Sequence, residues 1–332
     1  MEDSLGTQLN AVDRELVARL QENARTPLTH VAADIGLSEA YVRRRLKVLQ
    51  ENDVLTITAV ADPRLFGLHA MAWIGIEAEP GKPKEVADAL LHIVDVGYIV
   101  TAVGRFNVMA EVACESTDHL YDVVLQIRRM PSVRRIETFT YLRLLRQQFV
   151  WSTKEVVSEK RPSRTGNPPL LDELDRSLIH ALQANGRASF RELAYQLGAS
   201  QRTISARYSR LVETGALRIS AVIKPSRLGL RAMSWIGLEL IGRADLEEVG
   251  EAIGALPEVS YLVATAGRYD LMAEVVAADH SALIQFVQDR IGSLPGVGRL
   301  DLMPYTSLLF RSAATAWSGA RTRATDFTDS PS

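Results

Sequence analysis

The sequence predicts an α+β protein built twice over: two copies of a winged-type helix-turn-helix, each followed by a βαββαβ domain of ferredoxin-like plan. Three observations carry this. The chain repeats itself, since residues 9–79 align without a gap onto 171–241. Each repeat opens with three short apolar periodicities of helical spacing, broken by a glycine turn. Each then alternates strand-like and helix-like segments in one fixed order.

The repeat is carried by identical pairs, among them Asp13/Asp175, Leu20/Leu182, Asn23/Asn185, Arg25/Arg187, Gly36/Gly198, Ser38/Ser200, Arg45/Arg207, Leu49/Leu211, Pro63/Pro225, Gly67/Gly229 and Trp73/Trp235. Beyond small gaps, residues 104–112 pair with 267–275, and Pro131 with Pro295. A period of about 163 residues is too long for a solenoid and reads as duplication of a two-domain protein. The expected domains are helix-turn-helices at 1–60 and 171–222, ferredoxin-like domains at 61–150 and 223–312, a linker at 151–170 rich in Ser, Lys and Pro, and a polar tail at 313–332.

In the first helix Val12, Leu16 and Leu20 recur at helical spacing, matched by Leu174, Leu178 and Leu182. Gly186 suits a left-handed helix end. Val31, Ala32 and Ile35, or Leu193, Ala194 and Leu197, make a short second helix ended by Gly36 or Gly198. Ser38 and Ser200 stand where an N-cap belongs. Val42, Leu46 and Leu49, or Ile204, Tyr208 and Leu211, give the third helix its inner face.

After an extended segment at Leu55–Val60, the run Ala70–Glu77 alternates on both faces, Ile74 and Ile76 against Met71 and Trp73. An amphipathic helix with Val86, Leu90 and Ile93 follows, then strands Val96–Val103 and Val108–Ala113 about a Gly104 turn. A helix at Leu120–Arg128 and a strand at Val133–Leu145 complete the order. Two helices cover one sheet face only. The apolar residues of the other face require a cover, for which the second sheet is the expected partner.

The 332 residues are 47% hydrophobic and 23% charged, ordinary for a chain with ample core. No apolar run approaches the roughly 18 residues of a membrane span. No basic segment and apolar stretch mark a secretory leader at the N-terminus. A single cysteine, Cys114, excludes an intramolecular disulfide, so a cytoplasmic location is expected. The six histidines show no metal-ligand spacing, and neither a metal, a cofactor nor a catalytic residue is assigned.

The net charge of −2 counts against non-specific nucleic-acid binding. Positive charge is instead concentrated on the third helices. With Val42, Leu46 and Leu49 inward, Arg43, Arg44 and Lys47 face outward beside Tyr41, with Arg45 on the flank. The second helix offers Gln201, Arg202, Thr203, Ser205, Arg207 and Arg210. Arg and Lys reach phosphates and guanine edges, and Gln can read adenine. These residues, with Ser38 and Ser200, are the expected contacts to double-stranded DNA.

A helix-turn-helix followed by a βαββαβ domain with a Gly-x-aromatic-Asp turn resembles the leucine-responsive/asparagine-regulator (Lrp/AsnC) family of transcriptional regulators. The matching residues are Asp13-Arg and Asp175-Arg, Asn23-Ala-Arg and Asn185-Gly-Arg, Ser38 and Ser200 with their preceding residues, Arg45 and Arg207, and the Gly104 and Gly267 turns. The resemblance implies α+β domains that pair through their sheets, further assembly as a homo-oligomer, and an amino acid or related metabolite as effector near the glycine turn. The implied effector residues are Val103, Gly104, Arg105, Phe106 and Asn107, and Ala266, Gly267, Arg268, Tyr269 and Asp270. The chain departs from the family in carrying two units, and in having Ala24, Asp53 and Asn107 where its second half has Gly186, Gly215 and Asp270. Siroheme decarboxylases of haem biosynthesis use the same architecture and also occur as fused pairs. Their chemistry uses histidine in the α+β domain, which 96–101 and 259–264 lack. A metabolite sensor without DNA binding is a third reading, against which the basic third helices argue.

Overall fold

The computed structural model describes residues 9–52, 54–61, 63–147, 171–223, 225–310 and 325–326. The expected linker at 151–170, the tail apart from 325–326, and Asp53 lie outside these residues. The first half runs α1 (Ala11–Glu22), α2 (Leu28–Asp34), α3 (Glu39–Glu51), β1 (Leu55–Ala61), β2 (Ala70–Ala78), α4 (Pro83–Leu90), β3 (Val96–Ala102), β4 (Val108–Cys114), α5 (Thr117–Arg128) and β5 (Val133–Gln147). The second repeats the order as α6 (Glu173–Ala184), α7 (Phe190–Gln196), α8 (Gln201–Glu213), β6 (Leu217–Ile223), β7 (Ala232–Leu240), α9 (Leu246–Gly254), β8 (Val259–Ala266), β9 (Leu271–Ala277), α10 (His280–Phe286) and β10 (Val297–Phe310), with a two-residue β11 (Thr325–Asp326).

The chain forms two compact units that group like with like. One holds 1–66 and 152–228, the other 67–151 and 229–332. The divisions follow Phe66 and Leu228, beyond the expected 60 and 222, because β1, β6 and the short turns after them belong with the helices.

In the helical unit β1 pairs antiparallel with β6, from Leu55 opposite Ile223 to Ala61 opposite Leu217. Each half supplies one strand, so neither completes this sheet alone. Ala59, Ala61 and Leu65 of the first half enter the core built by Leu178, Leu182, Leu193 and Leu211 of the second. Two arginines fasten the halves reciprocally. Arg25 donates to the carbonyls of Gly186 (2.6 Å) and Ala188 (2.9 Å), and Arg187 to those of Ala24 (2.5 Å) and Thr26 (2.8 Å). Arg25 also lies over the rings of Phe190 and Tyr208, at 5.0 and 5.1 Å. Gly186 departs from expectation, since it is not among the residues with positive φ. It is required for close approach: its N–H donates to the carbonyl of Ile57 at 2.9 Å, and a Cβ would stand 2.8 Å from that oxygen. Gly36 and Gly198 do adopt the left-handed conformation, with φ of 69° and 63°.

The second unit is a closed barrel. Its strands run β10-β3-β4-β2-β5-β8-β9-β7, and β7 pairs back onto β10, with β11 an appendage. Closure rests on the two long strands. The first part of β5 pairs with β2 of its own half, and the part from Thr140 to Gln147 with β8 of the other. Likewise β10 pairs with β7 up to Pro304 and with β3 from Tyr305. The apolar sheet faces are therefore covered by each other, as expected, but within one ring whose strands also bond edge to edge. Outside, α4 and α5 cover Ile74, Ile76 and Val112, while α9 and α10 cover Ile236, Leu238 and Val275. Inside, Trp73 and Trp235 meet with ring centroids 4.3 Å apart, among Phe106, Met109, Phe139, Tyr269, Met272 and Met303. Burying aromatic groups of this size contributes about 1.5–3 kcal/mol each.

Two carboxylates also face inward. Glu111 accepts from Tyr141 (2.7 Å) of its own half and Tyr261 (2.8 Å) of the other. Glu274 accepts from Tyr305 of its own half, Tyr98 of the other, and Ser260. Position 97, the counterpart of Ser260, is glycine. Desolvation raises the Glu111 pKa, the tyrosine hydrogen bonds oppose this, and the charge of Glu274 adds to the rise. A carboxyl raised in the folded state stabilises the fold below its unfolded pKa, and that contribution is lost as pH rises through the folded pKa. Glu111→Gln keeps an acceptor for both tyrosines and removes the charge. Its melting temperature should therefore gain on that of the unaltered chain as pH rises from 4 to 8. A difference independent of pH would contradict this assignment.

Candidate nucleic-acid interface and glycine turns

The third helices begin as the sequence implies. Ser38 and Ser200 are N-caps, accepting from the N–H groups of Tyr41 (3.3 Å) and Thr203 (3.0 Å), and the Thr203 hydroxyl lies 2.8 Å from that of Ser200. Val42, Leu46 and Leu49, and Ile204 and Leu211, are buried. On α3 this leaves Arg43, Arg44 and Lys47 exposed. Arg43 pairs with Glu39 and Lys47 with Glu51, surface pairs one helical turn apart and worth little. Arg44 stacks over the ring of Tyr41 at 5.6 Å. On α8, Gln201, Arg202, Ser205 and Ala206 lie together on one open face of the helix.

Two expected contacts are reassigned. Arg45 is only 8% exposed, and both arms of its guanidinium engage the buried Asp13, at 3.0 and 2.6 Å. It holds α3 on α1 and presents no face to DNA. At the matching place Arg207 bridges Asp172 and Asp175, and Arg210 also binds Asp175. Arg207 holds the Asp172 carboxyl below the usual range. Arg45 and Arg207 fasten the recognition helices to the acidic starts of α1 and α6, and Arg210 adds a pair to Asp175 from an exposed position. Of the expected contacts this leaves Ser38, Tyr41, Arg43, Arg44 and Lys47 at α3, and Ser200, Gln201, Arg202, Thr203, Ser205 and Arg210 at α8, Arg210 being exposed despite its ion pair.

In the barrel unit the two glycine turns converge. Arg105 and Arg268, one from each turn, both reach Glu137 on β5, at 3.3 and 2.9 Å. Gly104 has φ of 133°, and a Cβ there would stand 3.1 Å from the carbonyl of Leu302. A Cβ on Gly267 would meet Phe139 at 3.1 Å and the carbonyl of Thr138 at 3.3 Å. Val103, Gly104, Arg105, Ala266, Gly267 and Arg268 are exposed. The other expected effector residues are taken up by the fold. Phe106 and Tyr269 turn into the barrel against Gly75 and Gly237, where a Cβ would lie 2.7 and 2.6 Å from their rings. The Tyr269 hydroxyl donates to Asp301 at 2.8 Å. Asn107 clamps Ala78 through both its N–H and carbonyl (2.7 and 2.9 Å), and Asp270 accepts from the N–H of Leu240 at 2.7 Å. Glu137 was not singled out in the sequence, because a carboxylate on an alternating strand reads as an exposed side chain until its neighbours are known.

Paired helix-turn-helices with exposed basic recognition helices, joined to a duplicated α+β barrel, define a DNA-binding regulator. The AsnC-type helix-turn-helix domain matches residues 9–50 and again 171–212, and the Lrp/AsnC ligand binding domain matches 231–314. Residues 76–154 match a C-terminal dimeric alpha+beta barrel domain. The HTH-type transcriptional regulator FL11 of Pyrococcus horikoshii is 33% identical over 128 residues, covering 38% of this chain and 83% of its own. The HTH-type transcriptional regulator Ptr1 of Methanocaldococcus jannaschii is 33% identical over 129 residues, covering 39% of this chain and 86% of its own. The chain belongs to the Lrp/AsnC family of DNA-binding transcriptional regulators, in tandem form. The crystal structure of the siroheme decarboxylase NirDL superposes with a TM-score of 0.61 at 22% identity, over 90% of this chain and 92% of that one, which shows a shared fold.

Arg45→Ala leaves Asp13 buried and unpaired and should cost about 3–5 kcal/mol in denaturant unfolding. Replacing Arg43, Arg44 and Lys47 with Ala should change stability by less than about 0.5 kcal/mol each. An Arg45→Ala protein as stable as the unaltered chain would place that arginine back at the surface.

Proposed function

We propose that one chain does the work of the family's dimer: it reads two unlike DNA half-sites with α3 and α8 and adjusts this binding to a small amino-acid-like effector. The observation that carries the reading is the pair of unlike recognition helices held in one compact unit by the β1–β6 ladder and the reciprocal Arg25 and Arg187 anchors. A symmetric dimer reads a palindrome with half-sites about one helical turn, roughly 34–36 Å, apart. Here one helix carries Tyr41, Arg43 and Arg44 and the other Gln201, Arg202 and Ser205, so the preferred site is asymmetric. Arginine favours guanine edges and glutamine adenine.

For the effector, the turns at Gly104 and Gly267 offer two guanidinium groups about one carboxylate, Arg105 and Arg268 about Glu137. An amino acid carries the complementary pair, a carboxylate for the arginines and an ammonium for Glu137. Further association of whole chains through the barrel units belongs to the same proposal.

An enzyme on this scaffold is the competing reading. Neither β3 nor β8 carries a histidine to serve tetrapyrrole carboxylates. Incubation with an iron tetrapyrrole, followed by absorbance, should give no shifted spectrum under conditions where a DNA mobility shift is plain. A shifted spectrum without DNA binding would favour the enzyme.

Site selection from random duplexes should return unlike half-sites, and exchanging 39–51 with 201–213 should reverse their order. A perfect palindrome bound by one chain per half-site would contradict the reading. The salt dependence of binding should be steep. Replacing Arg43, Arg44 and Lys47 with Ala should shallow the log–log slope by roughly 1–3, and an unchanged slope would remove α3 from the interface. Gly267→Val should abolish the response to pooled amino acids while basal DNA binding remains. A normal response would remove the turn from the effector site.

A further inference from the structure

We infer that Asp95, Cys114 and His119 form a divalent transition-metal site, suited above all to Zn2+, on the first half of the barrel unit. Their ligand atoms, a carboxylate oxygen, Sγ and an imidazole nitrogen, all lie within 4.8 Å of one another. They come from three different elements: the turn before β3, the end of β4 and the first turn of α5. Histidine spacing along the chain gives no hint of this, because the fold assembles the set from one histidine and two other residue types.

The backbone fixes each ligand in place. The N–H of Ala113 donates to the carbonyl of Asp95 at 3.0 Å, which ties the turn to the strand that presents Cys114. Ser116 caps α5 by accepting from the N–H of His119 at 3.1 Å, which sets the histidine at the helix start. His119 Nε2 already lies 3.3 Å from Asp95 Oδ2. In a tetrahedral zinc site the ligands stand about 2.0–2.3 Å from the metal, so their atoms are roughly 3.3–3.8 Å apart. The present spacing requires contraction by at most roughly 1.5 Å.

The chemistry of the set is balanced. One thiolate and one carboxylate neutralise a divalent cation, and a neutral imidazole completes three ligands of the borderline-soft kind that zinc takes. Binding replaces the Cys114 S–H bond with an S–metal bond and releases that proton to solvent. Cys114 is fully buried, whereas His119 is half-exposed, so the fourth position opens on the histidine side and takes water.

The second half argues that the scaffold does not need these residues. The same backbone link recurs there, from the N–H of Val276 to the carbonyl of Glu258 at 2.9 Å, and Asp279 caps α10. The positions matching Cys114 and His119 are Ala277 and Ala282. The set is particular to the first half, where it would pin three elements together and mark one side of an otherwise two-fold unit.

The test is titration of the untagged full chain with Co2+, followed by competition with Zn2+. The expected result is one Co2+ per chain with the absorption of a tetrahedral site and a thiolate-to-cobalt charge-transfer band, displaced by Zn2+. Cys114→Ala should lose the charge-transfer band, and both it and His119→Ala should bind at least about tenfold more weakly. Both variants should fold, since the second half carries alanine at both places, and circular dichroism checks this. Zn2+ should raise the melting temperature of the unaltered chain and of neither variant. Failure of the unaltered chain to bind Co2+, or a Cys114→Ala protein with the same affinity and spectrum, would overturn the site. DNA binding is scored separately, so its loss or retention leaves this result unaffected.

Discussion

The barrel unit depends on one constraint: the inner faces of its two half-sheets are too apolar to stand in water. Trp73, Trp235, Phe139, Tyr269, Met272 and Met303 are all buried there. A four-stranded sheet with helices on one face cannot cover them by itself. The chain resolves this by extending β5 and β10 past their own halves, so that each also pairs with the far half. One device then does two things. It encloses the aromatic core, and it removes the open sheet edges that would otherwise recruit another chain.

The same logic recurs in smaller form in the helical unit. A lone β1 strand would leave its backbone groups unpaired, and β6 supplies the partner. The anchors Arg25 and Arg187 bond carbonyls of the opposite half, so the mutual position of the helix-turn-helices is specified by directional bonds as well as by core burial. Duplication within one chain also frees each half to diverge. Ser260 bonds a buried carboxylate where the first half has Gly97, Asp270 replaces Asn107, and the recognition helices read differently. An exact dimer could hold none of these differences.

Much of this was legible in the sequence. The repeat, the glycine turns at Gly36 and Gly198, the Ser38 and Ser200 caps, and the βαββαβ order each follow from local spacing, and each is found. Spacing along one helix could not show which arginine meets a distant carboxylate, and so Arg45 looked like a flanking surface residue. Its partner Asp13 lies on another helix. Gly186 was read as a left-handed helix end, but the reason for glycine there lies in the approach of β1 from the other half. Glu111 and Glu274 carried a signal that was passed over: a carboxylate in the middle of the apolar run Met-Ala-Glu-Val, in both halves. Their tyrosine partners come from strands that only the closed ring brings together.

The central claim is that a single chain is the complete two-fold unit that binds DNA. It is tested most directly by native mass spectrometry of the full chain on a duplex carrying one selected pair of half-sites. The account predicts a limiting complex of one chain per duplex at low protein concentration. Two chains bound from the outset, one on each half-site, would contradict it.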